Sequence, residues 1–253
     1  MNKNALTVKE HFAELRTRFL YIVYFFVITS IVSYFYSQEI YYFLLEPLLN
    51  HYKDLGRSTK IIYTNLTEAF FTYIKLSLWT ATFFTLPFLL TQIYKFSSPA
   101  LSEPSKKHII PYMLLSVILF FLGTYIAYYF VFPNAWNFFL SFENHNINNT
   151  GSSITLETRV SEYLSLSLQI ILAFGIAFQS PIILMIFERT GIITVDTLKS
   201  KRRIAIVIIF IIAAIITPPD VISQIVLATL MIFLYELAIL GCILQNKGIK
   251  KDA

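Results

Sequence analysis

From residue 19 to residue 36 the chain carries no charged side chain, and five further apolar stretches follow it. Nothing else constrains the fold as strongly. Roughly 18 residues at 1.5 Å each make a helix about 27 Å long, close to the hydrocarbon thickness of a bilayer. The later stretches run over about 69–94, 109–132, 163–187, 204–216 and 221–244. They predict an all-α polytopic membrane protein with six transmembrane helices in a single membrane domain, residues 1–253. Composition agrees: 56% of residues are hydrophobic and 14% charged, against about 25% charged in a soluble domain.

Cys242 is the only cysteine, which excludes an internal disulfide and any multi-cysteine metal site. The seven glycines form no phosphate-cradling pattern. No metal ligand set, cofactor motif, nucleophile arrangement or nucleic-acid motif is present, so the expectation is a protein without enzymatic chemistry. The polar segment before the first span reads as neither a cleavable signal nor a transit sequence.

The connections differ in character. Residues 37–68 read as a polar loop in which residues 40–45 form an interfacial helix ending at Glu46 and Pro47. In the second span, Lys75 lies about two turns from the loop, within reach of the interface by snorkelling, and Pro87 is expected to kink the helix. Pro133 is expected to end the third span, with Trp136, Phe138 and Phe139 in an interfacial helix. Gln179, Ser180 and Pro181 interrupt the fourth. Residues 188–203 read as a loop with five cations. The fifth span has only 13 residues, roughly 20 Å, and the sixth has a short apolar core. Two short spans joined at Thr217, Pro218, Pro219 and Asp220 imply a thinned bilayer or a watery dip on one side.

Cation placement sets the topology. Of the 20 Lys and Arg, 15 lie in segments 1–18, 95–108, 188–203 and 245–253, and 4 in the connections on the other side. Positive charge stays on the side of synthesis, so both termini are expected there, together with Glu14 and Glu103.

The polar stretch before the first span is His11-Phe12-Ala13-Glu14-Leu15-Arg16-Thr17-Arg18. At helical spacing it sets His11, Glu14 and Arg18 on one side and Phe12, Leu15 and Phe19 on the other. Two readings fit: a cationic anchor that sets topology, or a carboxylate presented to a cationic ligand at the membrane surface.

Five stretches, in order, resemble the TatC family, the multi-spanning receptor subunit of the twin-arginine protein translocase. They are the His11 to Arg18 stretch, Glu68-Ala69-Phe70-Phe71-Thr72-Tyr73-Ile74-Lys75, Phe96-Ser97-Ser98-Pro99-Ala100-Leu101, Phe174-Gly175-Ile176-Ala177-Phe178-Gln179-Ser180-Pro181 and Thr217-Pro218-Pro219-Asp220-Val221-Ile222-Ser223-Gln224. The resemblance covers about residues 9–240. It implies a glove-shaped six-helix bundle that binds signal peptides bearing paired arginines and assembles with single-span TatA/TatB-like subunits. Folded proteins then cross the bilayer at the expense of the protonmotive force. Self-association is a further possibility.

The implied chemistry is simple. A guanidinium is always charged and its fork matches a carboxylate, so a receptor for two arginines wants two acids near the membrane surface. Glu14 matches a family acid. Glu103 is the only acid in its loop and stands two residues before Ser105, where many relatives carry one; the plain alternative for Glu103 is a solvated loop acid. Arg16, Arg18, Lys106 and Lys107 favour ionised carboxylates but repel a cationic peptide unless they point to lipid phosphate or pair elsewhere. Gln179 stands where many relatives carry a carboxylate in the membrane. Thr217 and Gln224 match a polar patch that seats a partner helix; alternatively Thr217 caps a turn and Gln224 faces water. Asp220 reads as a cap of the sixth span. Glu236, two turns from the end of that span, has to be protonated, paired or turned toward water.

A second class of function is a proton- or ion-coupled carrier or a respiratory-chain subunit, with Lys75 and Glu236 as relay groups, although Gln179 breaks such a path. A membrane scaffold is a third. The Ile-, Phe-, Tyr- and Lys-rich usage points to an AT-rich genome. The expected location is the mitochondrial inner membrane, with bacterial plasma membrane and thylakoid as alternatives.

Overall fold

The computed structural model describes residues 8–54, 61–62, 67–97, 109–140, 158–217 and 221–249. Almost all of them are helical. In chain order they form α1 (Val8–Phe35), α2 (Ser37–Asp54), β1 (Ile61–Ile62), α3 (Glu68–Ser97) and α4 (Ile109–Ile126). A π-helical turn, Ala127–Val131, joins α4 to α5 (Phe132–Leu140). Then come β2 (Thr158–Arg159), α6 (Val160–Ala177), α7 (Ser180–Arg189), α8 (Val195–Ser200), α9 (Arg202–Ile216) and α10 (Val221–Ile249). The two strands pair in parallel, Ile61 opposite Thr158 and Ile62 opposite Arg159.

Five helical spans are long and apolar enough to cross a membrane: Phe12–Phe35, Glu68–Phe96, Ile110–Phe139, Val160–Arg189 and Val221–Asn246. Outside these spans lie α2, with 18 residues, and α9, with 15 residues, about 22 Å. α9 is the fifth of the six expected spans, two residues longer than its apolar run but still short. The sixth, α10, is not short: it runs for 29 residues, because the apolar helix continues through its polar last turns.

Prolines end fewer helices than expected. Pro47 lies inside α2, and the helix runs on to Asp54 because Leu48 and Tyr52 are buried beyond it. A proline removes the hydrogen bond to the carbonyl four residues earlier. Here that carbonyl belongs to Phe43, and Tyr128 Oη donates to it at 2.8 Å. The neighbouring carbonyl of Leu44 accepts from Tyr163 Oη at 2.6 Å. Two tyrosines from other helices therefore hold the bent part of α2. Pro133 does not end the third span either. The π turn just before it shifts the hydrogen-bond register, with Phe132 N–H donating to Ala127 O, and the helix passes through. Trp136 is not interfacial: it is buried and stacks on Tyr163 with ring centroids 4.8 Å apart. The break at Gln179 is as expected, with Pro181 in the first turn of α7. The loop expected at 188–203 contains α8, whose first turn is capped by Thr194 Oγ1 accepting from Thr197 N–H.

Packing follows from these lengths. α1 runs antiparallel to α3, with Phe25 stacked on Phe88 at 4.5 Å. Only 6% of its apolar window is buried, so its other faces look outward. α4 and α6 approach closely through glycines: a Cβ on Gly123 would lie 2.7 Å from Phe174 O, and one on Gly175 would lie 2.6 Å from the Phe120 ring. Small residues allow this approach between apolar helices, where dispersion and hydrogen bonding rather than hydrophobicity drive association. α7 and α9 both pack on α10. α2 lies against α3 and α5.

Candidate functional site

The arrangement sorts polar residues to the two ends of the bundle. Antiparallel packing brings the start of α1 to the finish of α3. There Glu14 Oε1 accepts from Arg18 Nε at 2.9 Å and from its Nη2 at 2.5 Å. Arg18 Nη1 reaches across to Gln92 Oε1 of α3 at 3.3 Å. The two charged side chains retain 25% and 21% of their accessible surface respectively, so the pair sits half-buried in the angle between helices. Both guanidinium bonds converge on one carboxylate oxygen, and among the described residues Oε2 takes no hydrogen bond. Arg16, two positions from Glu14 and thus on another side of α1, is exposed.

Of the cations beside Glu14, Arg18 turns to Glu14 itself. Gln92 is marked in the sequence only as an amide in the last turns of an apolar span, and it is buried where an unpaired amide would be costly.

The same end carries further polar groups. Arg189 Nη1 donates to Tyr112 Oη at 3.1 Å, and Glu188 Oε1 accepts from Asn246 Nδ2 at 2.8 Å. Arg202 Nη2 donates to Glu236 Oε2 at 2.8 Å, so of its three possible states Glu236 is paired. The pair is 47% and 42% accessible, a clamp between α9 and α10 that is not enclosed in the bundle. Glu103 and Ser105 lie outside the described residues. The described residues that flank them are Ser97, which ends α3, and Ile109, which begins α4.

Gln179 is 2% exposed. Its Oε1 accepts from Ser116 Oγ at 2.6 Å, and its Nε2 donates to Ser116 O at 3.1 Å and Gly175 O at 3.4 Å. The amide is fully engaged and ties α4 to the α6–α7 break. Lys75 belongs to the far end, where its Nζ donates to Ser165 Oγ at 2.7 Å. Lys75 and Glu236 therefore stand at opposite ends with a neutral, locked amide between them.

Thr217 and Gln224 also lie at the far end. Thr217 is buried and donates to Ala213 O at 2.9 Å, closing α9 as a turn cap. Gln224 Nε2 lies 3.5 Å from Phe210 O, at the limit of a hydrogen bond, and the residue is half-exposed. Asp220 lies outside the described residues. Among the described residues no group of three His, Cys, Asp or Glu side chains is placed to hold a metal ion.

Comparison with known proteins agrees over nearly the whole chain. Residues 10–229 match the family described as Sec-independent protein translocase protein (TatC). The chain is 48% identical over 234 residues to the Sec-independent protein translocase protein TatC of Rickettsia prowazekii (strain Madrid E), covering 92% of this chain and 91% of that protein. It is 36% identical over 234 residues to the uncharacterized tatC-like protein ymf16 of Reclinomonas americana, covering 92% and 86%. Its fold matches the crystal structure of the twin arginine translocase receptor TatC with a TM-score of 0.74 at 35% identity, covering 92% of this chain and 98% of that one. A multi-pass helical membrane protein with these relatives belongs to the TatC family of Sec-independent protein translocase proteins, a family of transport rather than of enzymatic catalysis.

Proposed function

We propose that this chain is the receptor subunit of a twin-arginine translocase, binding paired-arginine signal peptides at the end of the bundle that carries Glu14. The observation that supports this best is the half-buried carboxylate of Glu14, which holds one guanidinium through a single oxygen, the other taking no hydrogen bond among the described residues. Arg18 occupies the place a peptide arginine would take. Gln92 Oε1 is a second acceptor for Arg18, so Arg18 has somewhere to turn when a ligand guanidinium arrives. Glu103, from the neighbouring connection, supplies the second carboxylate, and Ser105 supplies a hydroxyl where relatives carry an acid. Arg16, exposed beside Glu14, belongs to the same signal-peptide-binding surface. Both termini lie on the side of synthesis, where unexported precursors are.

Single-span TatA/TatB-like subunits seat against Thr217 and Gln224, and transport draws on the protonmotive force. Gln179 holds no proton in this cycle. The membrane is the mitochondrial inner membrane, a location supported by the Ile-, Phe-, Tyr- and Lys-rich residue usage of an AT-rich genome. The carrier reading is set aside by family membership and has no continuous relay to support it.

The test is site-specific cross-linking of a precursor to the intact protein in membranes. Glu14→Gln, which keeps shape and removes charge, is expected to lower cross-linking at least tenfold, about the value of one charge-assisted hydrogen bond. Glu103→Gln is expected to give a smaller loss. A precursor with two lysines in place of its arginines should behave on the wild type as the arginine form does on Glu14→Gln. Equal labelling of all three combinations would remove Glu14 from the site.

A further inference from the structure

Between α2, α3 and α6 lies a cavity of about 210 Å³, walled by Ile40, Phe43, Trp79, Phe83, Leu168 and Leu172. Its lining is almost wholly apolar, and water is a poor occupant for such a space. A cavity of about 150 Å³ lined by Leu, Ile and Phe stays dry and takes up hydrocarbon.

One edge of this cavity carries a charge. Lys75 precedes Trp79 by one helical turn on α3, and Ser165, its partner at 2.7 Å, precedes Leu168 on α6. The ammonium group is thus fixed beside the same two helices that wall the cavity. Its acceptor is a neutral hydroxyl, and among the described residues Lys75 enters no ion pair. The acid nearest to it along α3 is Glu68, two turns away, whose Oε1 accepts from Ser161 Oγ at 2.6 Å. From Lys75 to Phe84, at the deep end of the lining, the helix rises about 13 Å. An ammonium with no carboxylate partner among the described residues, at the edge of an apolar slot, fits an amphiphile: an anionic head at Lys75 and a hydrocarbon tail running inward.

We propose that the α2–α3–α6 cleft binds one phospholipid with an anionic headgroup. One acyl chain fills the cavity, and a phosphate oxygen takes the Lys75 ammonium in place of the Ser165 hydroxyl. Pro47 belongs to the same device, since Phe43, whose carbonyl it leaves to Tyr128, is a wall of the cavity. This site lies at the far end from Glu14 and does not depend on the receptor reading.

The full chain, reconstituted in phosphatidylcholine vesicles, is exposed to phosphatidylglycerol bearing a diazirine on one acyl chain, and labelled peptides are mapped. The expected label falls on the cavity-lining residues of α2, α3 and α6. Lys75→Gln is expected to lower it about fivefold, the value of one lysine against an anionic lipid surface, while Lys75→Arg retains it. A diazirine diacylglycerol, which has no phosphate, should label wild type and Lys75→Gln alike. Leu172→Trp, which fills the slot, should abolish labelling by both probes, with gel filtration confirming an intact fold. Glu14→Gln should leave labelling unchanged even where it abolishes precursor cross-linking. Label spread evenly over the lipid-facing helices, or labelling indifferent to Lys75→Gln and Leu172→Trp, would overturn the proposal. So would occupation of the slot by a precursor's apolar segment instead of lipid.

Discussion

At the scale of single residues, the informative side chains are those whose charge is already spoken for. At the proposed peptide site, Arg18 competes with a ligand guanidinium for Glu14, so its loss should help binding. An ion pair of this accessibility contributes about 0.2–1 kcal/mol, so Arg18→Gln is expected to raise precursor cross-linking at limiting concentration about two- to fivefold. Reduced cross-linking would mean that Arg18 positions Glu14 rather than masks it. Because the pair is partly solvated, binding by wild type should weaken as salt rises. The sequence makes Glu14 visible, since an acid among four cations ahead of an apolar run demands a reason. It does not show the state of that acid. Arg18 is four residues away on the same helix face, but its turn toward Glu14 and Gln92 depends on how α3 packs, which no local pattern encodes. Gln179 is the converse case. Its neutrality is readable from residue type alone, whereas its partner Ser116 lies 63 residues away in sequence.

At the scale of elements, apolar length is a dependable guide and proline is not. The long spans fall where uncharged runs place them, because a run of that length has few other uses. Pro47 and Pro133 mislead because a proline removes one hydrogen bond, and a distant side chain or a π turn can make good the loss. That account carries a prediction at α2. The Tyr128 ring stacks on Phe43 at 4.7 Å, and its hydroxyl serves the Phe43 carbonyl. Tyr128→Phe keeps the stack and removes only the hydroxyl, leaving a part-buried carbonyl without its donor at a cost of about 1 kcal/mol. The expected result is a lower melting temperature in detergent and faster amide exchange in α2 beyond Pro47, with α3 and α10 little changed. Uniform exchange across the bundle would show that α2 does not depend on this bond.

At the scale of the whole molecule, the two ends are separate workplaces joined by apolar helices. The end with Glu14 gathers Arg18, Gln92, Glu188, Arg189, Arg202 and Glu236, with their ion pairs and amide bonds. The far end has Lys75, the strand pair, and the Thr217 and Gln224 turn. Cation counting separates these two groups from sequence alone, since translocation and lipid charge act on whole connections rather than on residues. What it leaves out is how each end is assembled, for α9 and α10 meet through Arg202 and Glu236 at one end and through Gln224 at the other. Of the proposed partner contacts, Thr217 has its hydroxyl committed to Ala213 O, whereas Gln224 holds its amide only loosely against Phe210 O. Gln224 is therefore the one with capacity for a partner helix. Gln224→Leu alone is expected to reduce co-purification of a single-span subunit several-fold, in keeping with the roughly 0.6–2 kcal/mol of an interhelical polar contact. Thr217→Val should act less. Since Gln224 and Glu14 share no partners and lie at opposite ends, their effects should add: Gln224→Leu leaves precursor cross-linking at wild-type level, and the double variant shows both defects without enhancement. Loss of precursor cross-linking in Gln224→Leu alone would mean that the two ends communicate through the bundle and that partner binding is needed to shape the peptide site.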